Sequence, residues 1–200
     1  MHLVQSAEGK PGRLAPGERR AQILRVLAQM LEDPAGERVT TAALAARLGL
    51  SEAALYRHFA SKAQMFEALI AFAEENLLAQ AERIGVQALP AEERAQRLTL
   101  SLLQFAEAHR GLARLWVGDA LVGEHERLGA RVEQLFVRLE ATQRQWLRDG
   151  DLDSPSPSAD AQGRAAVLMA FAQGRLLRFV RSGFKRLPTE HLDQWRRWLP

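Results

Sequence analysis

Apolar residues recur at three- and four-residue intervals through most of the chain, the spacing that gathers them on one face of an α-helix. Over residues 17–33 the face is Ile23, Leu24, Leu27, Met30 and Leu31, and the Pro-Ala-Gly at 34–36 ends it. Thr40 stands where it can cap a second helix carrying Leu44, Ala45 and Leu48 on one side. Gly49 supplies the positive-φ residue that a sharp helix end needs. Leu50 continues the apolar set, and Ser51 caps a third helix buried through Leu55 and Phe59. Ser61, with Gln64 three residues on as capping-box partner, opens a fourth helix. Its stripe is Phe66, Leu69, Ile70, Ala73 and Leu77, and Phe72 falls off that stripe beside Glu75 and Gln80.

Residues 85–90 break the pattern, and Pro90 begins a fifth helix with Leu98, Leu102, Phe105 and Ala106 on its core face. His109, Arg110 and Gly111 close it, and a short helix through Leu115, Trp116 and Leu121 follows. Residues 124–148 carry the clearest stripe: Leu128, Val132, Leu135, Leu139, Thr142 and Trp146 alternate four- and three-residue steps, as bundle core does. Residues 149–160, acidic and rich in Pro and Ser, predict a loop. A further helix over 161–182 lines up Val167, Leu168, Phe171, Gly174 and Leu177, and a last one after Pro188 and Thr189 carries Leu192, Trp195, Trp198 and Leu199. So many large apolar groups and glycines on the two terminal helices predict a face hidden against a second copy, with Phe171, Gly174, Leu177, Arg178 and Trp195 in the interface. The alternative is that they complete the core of one protomer. The expected fold is all-α: a flexible arm (1–16), a three-helix module (17–62) and a C-terminal helical domain for dimerisation and partner binding (63–200).

Within residues 40–62, TTAALAARLGLSEAALYRHFASK, the spacing is that of a helix-turn-helix. Ala45 lets the two helices cross closely, and the Gly49 turn follows four residues later. Burial of Leu55 and Phe59 leaves Glu52, Ala53, Tyr56 and Arg57 outward. With Ser51 and His58 they offer access to base edges together with phosphate donors. Lys62, one of only three lysines beside twenty-four arginines, sits at a helix N-terminus where an anion is already favoured. Arg19 and Arg20 can reach phosphate or simply stay solvated.

Composition narrows the function. The 200 residues are 47% hydrophobic, ample for a core, and carry no Cys, which excludes disulfides, thiolate metal sites and a Cys nucleophile. The net charge of +3 is unevenly spread. Residues 1–62 hold nine basic against six acidic residues, 63–148 hold ten against twelve, and 149–200 hold eight against six. That distribution favours docking of the N-terminal module on phosphate over coating of nucleic acid by the whole surface. The five His are scattered without H-E-x-x-H spacing, and there is no Gly-rich phosphate loop and no G-x-S-x-G. Glu124 and Glu126 flank His125, but successive helical side chains diverge by about 100° and cannot form one site. No enzyme, metal or cofactor is expected. The start lacks a signal-peptide core, and the longest apolar run, 165–172, is far short of the ~20 residues of a membrane span. A soluble cytoplasmic protein is the expectation.

The segments SEAALYRHFASK, RVEQLFVRLEATQRQWLR and FVRSGFKRLPT, within a likeness over about residues 18–199, resemble the TetR family, and within it the members that act in nucleoid occlusion. The resemblance implies a nucleoid-associated homodimer whose last two long helices form a four-helix bundle. It further implies binding to palindromic double-stranded DNA and inhibition of the tubulin-like division GTPase FtsZ. By motif, Thr40, Thr41, the stretch Ser51, Glu52, Ala53, Tyr56, Arg57 and His58, and Lys62 would meet DNA. Phe72, Gln80, Gln104 and His109 would lie on the FtsZ surface. Ala60 stands where these motifs carry Pro, which predicts a looser corner before the fourth helix. A competing function is a TetR-type transcriptional repressor that responds to a small molecule, with Trp116, Phe136, Trp146 and Met169 lining the pocket.

Overall fold

A computed structural model describes residues 16–33, 39–121, 124, 126–151, 154–195 and 197. The arm at 1–15, the break at 34–36, His125, Trp198 and Leu199 lie outside the described residues. The order is α1 (Pro16–Leu31), α2 (Thr41–Leu48), α3 (Glu52–Tyr56), α4 (Lys62–Gly85), α5 (Ala91–Ala108), α6 (Arg110–Trp116), a 3₁₀ turn (Asp119–Leu121), α7 (Glu126–Gly150), α8 (Pro157–Arg181) and α9 (Leu192–Trp195), with no strand among the described residues. None of these helices is long and apolar enough to cross a membrane.

The helix-turn-helix is assembled by its caps. Thr40 Oγ1 accepts the Ala43 N–H at 3.1 Å and starts α2. At the other end Gly49, at φ 65°, lets the Leu50 N–H reach back to the Ala45 carbonyl at 2.9 Å. Ser51 then caps α3 by accepting the Ala54 N–H at 3.2 Å. Leu44, Leu55 and Phe59 are buried with Ile23 and Leu27 of α1 and Phe66 of α4. This core runs on without interruption into that of the C-terminal helices.

Two contacts fasten the module to the domain behind it. A Cβ on Gly111 would lie 2.4 Å from the Ala28 carbonyl oxygen, so α6 crosses α1 at a distance only glycine permits. Gly111 therefore stands inside α6 and does not close α5. The Arg114 guanidinium donates to the carbonyls of Leu31 (3.3 Å) and Asp33 (2.9 Å), serving the end of α1, whose last turn has no basic residue of its own.

α7 and α8 are the long pair of the C-terminal domain. Late in α7 the buried face shifts by one residue: Gln143 and Leu147 are buried, and Thr142 and Trp146 only half so. Gln143 enters the core because its amide donates to Ala95 O (3.0 Å) and Thr99 Oγ1 (2.8 Å) of α5. α8 differs more. Its buried face is Ala161, Ala165, Leu168, Met169, Ala172, Leu176 and Phe179, so Val167, Gly174 and Leu177 point outward. The predicted loop is also shorter, because α7 reaches Gly150 and α8 starts at Pro157, a residue suited to a first turn.

Candidate nucleic-acid interface

Burial of Leu55 and Phe59 rotates α3 so that Glu52, Ala53, Tyr56 and Arg57 are exposed, Tyr56 to 46%. Regular α-helix ends at Tyr56, and the last turn tightens as the His58 N–H bonds Leu55 O at 2.9 Å, which brings Phe59 into the core. His58 is half-buried. Thr41 Oγ1 donates to Glu52 Oε2 at 2.5 Å, tying the start of α2 to the first turn of α3. Thr40, Ser51 and the free face of α3 thus lie around one rigid corner, with two hydroxyls already serving as helix caps.

Arg20 is not a free cation. Its guanidinium donates to the His58 carbonyl at 2.6 Å and lies 3.9 Å from the centre of the Phe59 ring, pinning α1 to the end of the recognition element. Arg19 donates to Gln22 of its own helix at 2.7 Å. Nothing local in the sequence distinguishes the two arginines. Ala60 does not loosen the corner either. Its N–H, which proline would lack, donates to Gln64 Oε1 at 2.8 Å, while Ser61 Oγ accepts the Gln64 N–H at 3.2 Å.

Lys62 is already paired within the chain. Its ammonium pairs with Glu124 at 2.5 Å, the first of several ion pairs along the seam between α4 and the first half of α7. Arg127 meets Glu67 at 2.7 Å, and Arg131 and Arg138 both meet Glu74. Glu124 carries no sequence signal for this role.

Phe72 and His109 come together where α4 meets the end of α5. Phe72 is half-buried, with ring centroids 6.1 Å from Phe105 and 5.7 Å from His109, and His109 lies 4.4 Å from Phe105. Burial lowers the pKa of His109 and favours its neutral ring. Gln104 and Gln80 are exposed, Gln80 two turns further along α4. Phe105, which the apolar stripe of α5 predicts to be core, completes this aromatic group.

Of the residues predicted to face a second copy, Gly174, Leu177 and Arg178 are exposed and Phe171 is half-buried. Trp195 is not a surface residue. It is buried within its own chain, 4.9 Å from the Phe171 ring. The residues predicted to line a ligand pocket do not converge. Trp116 and Phe136 border one open cleft of about 190 Å³, and Trp146 borders another of about 530 Å³ between α4 and α7. Met169 borders neither.

Residues 23–69 match the family described as bacterial regulatory proteins, tetR family, and residues 91–199 match the SlmA-like model described as tetracyclin repressor-like, C-terminal domain. Among curated proteins, the chain is 48% identical over 179 residues to the nucleoid occlusion factor SlmA of Idiomarina loihiensis, covering 88% of this chain and 91% of that one. It is 49% identical over 180 residues to the protein of the same name from Shewanella oneidensis, covering 89% and 91%.

Proposed function

The chain belongs to the SlmA-like branch of the TetR family, and from that premise we propose that it is a DNA-binding nucleoid occlusion factor. As a dimer on palindromic double-stranded DNA it restrains FtsZ-driven septum assembly over the chromosome. The observation that carries this reading is the capped α3 with Glu52, Ala53, Tyr56 and Arg57 exposed, in a chain so similar along nearly its whole length to nucleoid occlusion factors. Tyr56, Arg57 and Ala53 read base edges in the major groove, while Thr40, Thr41, Ser51 and His58 flank them toward the phosphates. The exposed Val167, Gly174 and Leu177 of α8 support pairing with a second copy. Phe72, Gln80, Gln104 and His109 are assigned to FtsZ.

Mapping the chain's binding sites across its genome tests the reading. Many sites spread over the chromosome but sparse near the terminus are expected. A single site beside its own gene, with no DNA-stimulated capture of FtsZ in a pulldown, would overturn it in favour of a local repressor.

A further inference from the structure

The turn after α8 is built more firmly than a connection between two helices requires. The Phe184 N–H reaches Phe179 O at 2.9 Å and the Gly183 N–H reaches Val180 O at 3.0 Å, with Gly183 and Phe184 both at positive φ (63° and 64°). Holding a non-glycine residue there is compensated by burying Phe184 against Phe179, ring centroids 5.1 Å apart. Ser182 Oγ accepts the Arg186 N–H at 2.9 Å. The Arg175 guanidinium donates to the carbonyls of Leu187, Pro188 and Glu190 at 2.8–3.1 Å.

At this rigid turn Arg181, the last residue of α8, and Lys185 and Arg186 are all exposed, and none has an acidic partner among the described residues. The nearby acids are occupied: Glu107 accepts the Thr189 hydroxyl at 2.6 Å, and Glu190 accepts the Leu187 N–H at 3.0 Å. The contrast with the α4–α7 seam, where arginines find glutamates, is sharp.

The location completes the case. Glu107 is at the end of α5 that leads directly into α6, and α6 crosses α1 of the DNA module at Gly111. The opposite end of the domain is marked by Gly150 against Ala91, roughly 37 Å away along a 25-residue helix. The cations therefore sit at the module end. A two-fold that sets both modules on one duplex keeps this end of each C-terminal domain on the DNA side as well.

We propose that the basic turn of Arg181, Lys185 and Arg186 is a second, sequence-independent contact to DNA phosphate, supplied by the C-terminal domain. It rests on the DNA-binding reading above and extends it beyond the helix-turn-helix. A fixed turn presents its charges without further ordering on contact, and each phosphate neutralised steepens the salt dependence of binding by about 0.9.

The test uses the full-length chain carrying R181Q, K185Q and R186Q together, with Arg178 kept beside the Arg175 clamp. A second variant, K185Q alone, guards against a folding defect in the triple. Anisotropy is measured against a 30-bp duplex bearing a site selected from random sequence, and against a scrambled duplex, across a salt series. Expected for the triple variant are unchanged melting and mass, a salt slope shallower by at least about 2, and roughly tenfold weaker binding of both duplexes with their ratio preserved. K185Q should move the slope in the same direction by less. An unchanged slope overturns the proposal. So does a loss confined to the selected duplex, or one seen only with FtsZ or with anionic vesicles. Failure of the wild-type chain to bind either duplex would instead sink the DNA-binding reading beneath it.

Discussion

The Lys62 ammonium lies 2.5 Å from Glu124 Oε1, joining the N-terminus of α4 to the segment just before α7, with the two side chains 21% and 10% exposed. Lys62 also sits 5.3 Å from the centre of the Phe66 ring. A lysine placed by sequence at an anion-favouring helix start is thus already neutralised by a carboxylate 62 residues away.

If that pair persists on DNA, Lys62→Ala leaves the salt slope of DNA binding unchanged but lowers stability by about 1–2 kcal/mol, between the values for exposed and buried pairs. Glu124→Gln frees the ammonium and steepens the slope by about 0.9 per phosphate engaged. A slope made shallower by Lys62→Ala would show that Lys62 leaves Glu124 for phosphate. Salt-dependent anisotropy and denaturant melts read both quantities.

Tyr56 is exposed on α3 and stands outside the hydrophobic core. Tyr56→Ala should weaken a specific duplex by about 1–3 kcal/mol, roughly 5- to 150-fold, with little change in unfolding midpoint. Thr40 calls for a different substitution, because its hydroxyl caps α2. Thr40→Ala would cost about 1 kcal/mol of stability besides any DNA contact, whereas Thr40→Ser keeps the cap. Binding and unfolding measured together separate the two effects.

Burial holds the pKa of His109 below its ordinary 6.5. As pH falls, the unfolded chain takes the proton first. The contribution to stability is therefore complete above pH 6.5 and is lost as pH falls from there toward the folded-state pKa. His109→Phe keeps a ring beside Phe72 and Phe105 and should flatten unfolding free energy in that window. Glu32, whose carboxyl is pushed up by burial, is common to both proteins and cancels in the comparison. A slope equal in the two proteins would rule out His109 as its source.

Gly174 faces outward, and a Cβ there meets nothing within 4 Å in its own chain. Gly174→Glu should leave the protomer folded while placing charge on the proposed two-fold face. Light scattering should then report a monomer at micromolar concentration where the parent is a dimer. DNA affinity should fall by about 10²-fold or more as the second half-site contact is lost. A dimeric mass for the variant would move the interface away from this face of α8.

The helices and the helix-turn-helix were legible because they depend on local terms. The period of apolar residues, the Thr40, Ser51 and Ser61 caps and the Gly49 turn all act within four or five residues, and the structure has each of them. The outward set on α3 followed from burial of Leu55 and Phe59 alone. Tertiary packing decided which polar groups were free. Lys62 went to Glu124, Arg20 to the His58 carbonyl, and Arg175 to three carbonyls of the next turn, because long cations find partners across helices that sequence spacing does not bring together. Packing also chose between faces. On α8 the side bearing Val167, Gly174 and Leu177 looks as apolar in sequence as the side bearing Leu168, Leu176 and Phe179. The positions of α7, α5 and α6 together determined which was core and which was left exposed, since one protomer covers a single face of a helix with the neighbours it has.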